Sequence, residues 1–118
     1  TRAITDKLDS LGNTTAAIGK WGLGYPGSTG DPNNQGFDLF FGYNCQRHAH
    51  NYYPEFLWKN GERVPLRNVG KHVAKHYKEG QEELTGYGIE RIDYTSDLFT
   101  QDALRWIGSQ DEPFFLFL

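Results

Sequence analysis

Residues 17–24 read Ala-Ile-Gly-Lys-Trp-Gly-Leu-Gly, which sets Lys20 at the end of an apolar run with glycines flanking the Lys-Trp pair. A strand that stops at a glycine can project the next side chain into the crevice beyond the strand's carboxyl end, where open α/β sheets place their ligands. A lysine ammonium is a compact point charge suited to an anion there. Lys20 is therefore the first candidate for an anion contact. The same spacing also describes an ordinary turn with an exposed lysine and a packed indole, and a motif this short does not separate the two.

Other groups carry weaker signals. Asp31, Asn33, Asn34 and Asp38 offer oxygen ligands of the kind calcium takes, but their order does not match an EF-hand loop. Local hydrogen bonds from Asn34 and Gln35 are the expected use of that segment. His72 and His76 have the i, i+4 spacing that clamps a metal on a helix, with Lys71, Lys75 and Lys78 opposing a cation, so a solvated polar face is expected. Tyr52 and Tyr53 can stack on a sugar or fill an interface, and packing is the expected role. Cys45 is the lone cysteine; it excludes an internal disulfide framework and reads as a small buried hydrophobe.

The elements that must position these groups follow from periodicity. Ile4, Leu8 and Leu11 share one helix face, with Gly12 placed to cap it, and the β-branched residues at 14, 15 and 18 predict a strand leading to Lys20. Residues 25–35 are rich in Gly, Pro, Asp and Asn and read as a surface loop beside that outlet. Phe37, Phe40, Phe41 and Tyr43 should supply core. Asn60-Gly61, between apolar-flanked arms, predicts a hairpin with a type I′ turn. Residues 67–88 are polar and lysine-rich, an expected surface excursion with Val69, Val73, Tyr77 and Leu84 as residues to bury. Phe99, Ala103, Trp106 and Ile107 then form a helical stripe, with Thr95 or Ser96 available as cap and Asp97 favouring the positive end of the dipole. Residues 113–118 are a nearly unbroken apolar run, the pattern of a strand buried on both faces of a parallel sheet. Strand, excursion, helix and strand amount to a parallel α/β crossover.

With 12 basic and 15 acidic side chains the formal charge is −3, which gives no electrostatic footprint for nucleic acid. No apolar run approaches the length of a membrane-spanning helix. The mid-helix start and the bare apolar end lead to the expectation that both termini of these 118 residues are cuts in a larger domain.

The stretch Thr-Thr-Ala-Ala-Ile-Gly-Lys-Trp-Gly-Leu-Gly at 14–24 resembles the second signature of the type I, formylglycine-dependent sulfatases. Gln-Gly-Phe-Asp-Leu-Phe-Phe-Gly-Tyr at 35–43 is similar to the Gly-Phe-Asp-x-Phe-x-Gly segment that follows it in that family. The resemblance extends through Tyr52-Tyr-Pro, Leu57-Trp-Lys-Asn-Gly-Glu, Tyr94-Thr-Ser-Asp and the closing Pro-Phe-Phe-Leu-Phe-Leu, leaving residues 67–92 unmatched. It implies an α/β fold, a central fragment of an alkaline-phosphatase-like sandwich with a mainly parallel sheet, with residues 1–118 forming a partial sulfatase catalytic domain. It also implies a sulfuric ester hydrolase acting on a sulfated sugar or polysaccharide, as in bacterial polysaccharide sulfatases and arylsulfatases, in the periplasm or outside the cell.

By the same resemblance Lys20 is the catalytic lysine that bridges the nucleophile and a sulfate oxygen. Calcium and formylglycine are implied for the complete enzyme, with ligands and nucleophile outside this segment; Cys45-Gln-Arg-His does not match the Cys-x-Pro-x-Arg nucleophile motif. No metal site is expected within the segment, and the isolated 118 residues should be inactive. Many relatives carry histidine where this chain has Gly22. Arg47, His48 and His50 are the candidate replacements for that substrate contact: on an extended backbone both histidines would share one side and Arg47 the other. Packed or merely exposed imidazoles are the competing reading. Two further functions remain open at this point, a phosphatase or phosphodiesterase of the same superfamily and a non-catalytic carbohydrate-binding protein.

Overall fold

A computed structural model describes residues 3–72 and 86–118. Helix α1 (Ile4–Ser10) leads into β1 (Thr14–Lys20); a short 3-10 turn (Pro32–Gln35) precedes β2 (Leu39–Tyr43), and a second (His48–His50) precedes the hairpin β3 (Phe56–Lys59) and β4 (Glu62–Pro65). Strands β5 (Val69–Lys71) and β6 (Tyr87–Glu90), helix α2 (Thr95–Gly108) and β7 (Phe114–Phe117) follow. The main sheet has the order β4-β3-β2-β1-β7. Its β2-β1-β7 core is parallel, and the hairpin adds to β2 antiparallel.

Alternation along β1 and β2 divides the core between the faces of the sheet. Ile18, Phe41, Tyr43 and Leu57 pack with Ala103, Leu98 and Phe99 of α2, while Ala17, Phe37 and Phe40 pack with Trp21, Trp58 and Phe115 on the other side. The predicted hairpin forms with positive φ at both turn residues, 49° at Asn60 and 83° at Gly61, the type I′ requirement. The Asn60 side-chain oxygen accepts from the Phe40 amide at 2.8 Å, which ties the turn back to β2.

Several local expectations are corrected. The α1 stripe stays largely in solvent, Ile4 at 70% and Leu11 at 67% exposure, because the helix docks through buried Thr5, whose hydroxyl donates to the Gln35 carbonyl. Neither Thr95 nor Ser96 caps α2; Tyr94 occupies the cap position without a side-chain bond, and Thr95 turns inward. Among the described residues strand β7 pairs with β1 alone, with Phe114 41% and Phe117 55% exposed. The excursion after Arg67 carries a two-stranded ribbon, β5 with β6, and Val69 is exposed there. Val73, His76, Tyr77 and Leu84 lie outside the described residues.

Asn68 fastens that ribbon to the body. Its amide nitrogen donates to the carbonyls of Pro54 (2.8 Å) and Asp93 (2.9 Å), and its oxygen accepts from the amides of Ile92 (2.7 Å) and Asp93 (2.8 Å). Beside it the Arg67 guanidinium hydrogen-bonds the Asp93 carboxylate, holding that acid below its usual value of 3.8.

The tightest point of the sheet is the Gly19–Gly42 pair, directly opposed across β1 and β2. A Cβ on Gly42 would sit 1.8 Å from the Gly19 carbonyl oxygen, so only glycine fits. We expect Gly42→Ala to cost about 3 kcal/mol or more in chemical denaturation of the protein. Gly108→Ala, at a position with open space, should shift stability by no more than about 1 kcal/mol.

Candidate active site

The same pairing delivers Lys20 and Tyr43 as register partners at the carboxyl ends of two parallel strands. The ladder runs on for two more bonds, from the Trp21 amide to the Tyr43 carbonyl (2.9 Å) and from the Gly22 amide to the Asn44 carbonyl (3.0 Å). Alternation then sends the indole of Trp21 to the opposite face. There it donates to the Gly30 carbonyl at 2.7 Å and meets Phe37 edge-on at 5.7 Å, clamping the loop after Lys20 against the back of the sheet. Within that loop Asp31 accepts from the Gly27 and Asn33 amides, while Asn34 and Gln35 donate to the carbonyls of Ser28 and Thr29. The carboxylates of Asp31 and, through Thr15, Asp38 thus serve as acceptors that hold local structure.

Lys20 opens into a cleft of about 270 Å³ whose lining includes Tyr43, His50, Tyr52, Thr95 and Ser96. Tyr43 forms the wall. Its hydroxyl donates to the Asn51 carbonyl and also lies 3.0 Å from the Thr95 hydroxyl, and burial pushes the phenol far above its usual value of 10.0. Among the described residues no carboxylate lines the cleft. An exposed ammonium without an acidic neighbour in its own lining is available to an incoming anion.

The three other substrate candidates separate. Residues 48–50 form a 3-10 turn, with bonds from the His50 amide to the Arg47 carbonyl and from the Asn51 amide to the His48 carbonyl, both 3.1 Å. This corrects the extended backbone expected from sequence, because three residues per turn point side chains at i and i+2 in different directions. His50 therefore lines the Lys20 cleft. His48 instead enters the core at 2% exposure, between the Tyr43 ring at 5.2 Å and the Phe56 ring at 4.6 Å. Arg47 is exposed but is not among the residues lining that cleft. Position 22 has φ +79°, a conformation that strains any residue but glycine, and a Cβ there would meet the Gln46 Cβ at 3.3 Å and require that side chain to shift by a few tenths of an ångström.

Sequence reasoning did not place Thr95, Ser96 or Tyr52 in the site. Thr95 reaches it through a contact with Tyr43 some 52 residues away, which no local pattern carries. Tyr52 is 58% exposed at the cleft, whereas Tyr53 stacks on Tyr94 at 5.4 Å. Among the described residues no three His, Cys, Asp or Glu side chains gather as a metal site; His72 lies 3.3 Å from Glu55, and its sequence partner His76 is outside the described residues. Cys45, half-buried, is not among the residues lining the cleft. No described helix is long and apolar enough to cross a membrane.

The model of the Sulfatase family matches residues 1–118, the whole chain. The chain belongs to the sulfatase family. Two solved structures of Ps i-CgsB, one alone and one in complex with k-i-k-neocarrahexaose, share the fold with a TM-score of 0.64 at 19% sequence identity. Each is matched over 98% of this chain and 25% of its own, so the sulfatase segment described here spans a quarter of the length of those proteins. The parallel β2-β1-β7 core with α2 packed on one face is the part of the alkaline-phosphatase-like α/β fold that this sulfatase segment contributes.

Because the folded state raises the Tyr43 pKa, its contribution to stability is complete below pH 10 and declines as pH rises above that value, where the unfolded phenol ionises first. Tyr43→Phe should lose about 1–2 kcal/mol at neutral pH with its hydrogen bonds. Urea titrations between neutral pH and pH 11 should show a shallower alkaline decline in the variant.

Proposed function

We propose that the complete protein carrying this segment is a sulfuric ester hydrolase that releases sulfate from a sulfated sugar or polysaccharide. The observation that carries this reading is Lys20, exposed at the outlet of β1 in a cleft of a sulfatase-family chain whose described lining has no carboxylate. Its ammonium donates to a sulfate oxygen, neutralises part of the ester's charge and holds the sulfur in line for attack, the electrostatic role that dominates such sites. His50, on the same cleft, is the second substrate contact; Tyr43, neutral and hydrogen-bonded, keeps the wall between them rigid.

No cluster of three His, Cys, Asp or Glu side chains occurs among the described residues, so this reading places the calcium ligands and the formylglycine implied by the family on other parts of the polypeptide. The neocarrahexaose bound by a solved neighbour supports a linear sulfated oligosaccharide as the substrate class. Export to the periplasm or exterior, where such polymers are met, completes the reading.

Sulfate release by the complete protein from 4-nitrophenyl sulfate and from neocarrahexaose, followed by ion chromatography, tests it. Lys20→Ala should lower kcat/KM about 100-fold or more while the melting temperature moves by no more than about 2 °C. Faster hydrolysis of 4-nitrophenyl phosphate than of the sulfate would instead assign a phosphatase. Sulfated-sugar binding indifferent to Lys20, without turnover, would assign a binding protein.

A further inference from the structure

A second cleft, about 200 Å³, adjoins the first and shares His50 and Tyr52 with it. Tyr53, Tyr87 and Arg91 complete its working surface, and like the first it has no carboxylate among the described residues of its lining. Its aromatic wall is braced from behind: Tyr94 stacks on Tyr53 at 5.4 Å and meets Tyr52 edge-on at 6.1 Å. Tyrosine faces held this way offer flat apolar area to the C–H face of a sugar at little entropic cost.

Arg91 is fixed but not neutralised. Its Nε donates to the Gly88 carbonyl at 3.0 Å, its guanidinium carbon lies 5.6 Å from the centre of the Tyr53 ring, and Asn68 pins the two residues that follow it. Its terminal nitrogens still have four N–H groups, a fork suited to a planar or tetrahedral anion. Elsewhere Arg67 is paired with Asp93, and Lys59 and Arg105 with Asp102. Among the described residues no carboxylate lies within ion-pair distance of either Arg91 or Lys20. In a chain of net charge −3 the described lining of the two joined clefts thus holds Lys20, His50 and Arg91 and no acid.

We propose that the second cleft is a subsite for the sugar next to the one presenting its ester to Lys20, with Arg91 binding that neighbour's own sulfate and Tyr52 and Tyr53 its ring. The shared His50–Tyr52 rim lets one continuous oligosaccharide occupy both clefts. This rests on the sulfatase reading and deepens it: the substrate carries anionic groups on adjacent residues, and preference for polymer over small ester resides in Arg91.

The test uses the complete protein, with neocarrahexaose and 4-nitrophenyl sulfate as the two substrates. Arg91→Gln should lower the hexaose-to-nitrophenyl preference in kcat/KM about tenfold, mostly through KM for the hexaose, and Arg91→Lys should recover part of the loss. A preference within about twofold of the parent, or an equal fall on both substrates, overturns the proposal. Calorimetric titration with the hexaose separates the two readings. Absence of sulfate release from either substrate defeats the sulfatase reading, while tenfold weaker hexaose binding by Arg91→Gln upholds the subsite and unaltered binding overturns it.

Discussion

Everything at the site depends on how closely β1 and β2 approach at Gly19 and Gly42. Two parallel strands normally hold side chains out of each other's way, but here one backbone carbonyl occupies the space a Cβ would need. The ladder therefore continues beyond the glycines to Trp21 and Gly22, and Lys20 and Tyr43 emerge side by side on one face. A lysine on a loop would sample many positions; one at a register-fixed strand end is already near its working place.

The surroundings convert that placement into rigidity through hydrogen bonds between distant segments. Thr15, fully buried, bonds to the Gly36 carbonyl and the Asp38 carboxylate and secures the entrance to β2. Trp21 fixes the loop on the reverse face, and Asn68 and Arg67 fix the ribbon to the start of α2. Buried amides and hydroxyls with these partners specify one arrangement, since any alternative leaves them unsatisfied.

Much of this was legible in the chain. Gly-Lys-Trp-Gly at the end of a β-branched run marks the strand outlet, and Asn-Gly between apolar arms marks the hairpin, because both signals are backbone-conformational and local. The divergence of His48 and His50 was not legible: alternation was the wrong period for a single 3-10 turn, and what draws His48 inward is the pair of rings from Tyr43 and Phe56. Phe114 and Phe117 read as doubly buried because composition reports what a strand is suited to, whereas exposure depends on which segments lie against it. The joint lining of the clefts, without a carboxylate among its described residues, was hidden as well, since it draws on residues 20, 43, 50, 52, 91 and 95 and no window of sequence contains it.

The Tyr43 hydroxyl, held between the Asn51 carbonyl and the Thr95 hydroxyl, has an entropic meaning as well as a static one. Closing it joins the end of β2 to the start of α2 across 52 residues, so the entropy of a long loop must be lost before the bond forms. The β1–β2 core and the hairpin need far shorter closures. The wall of the cleft therefore depends on α2 as well as on the strand register: the register places Lys20, whereas the Tyr43 hydroxyl is fixed where residues 43, 51 and 95 meet.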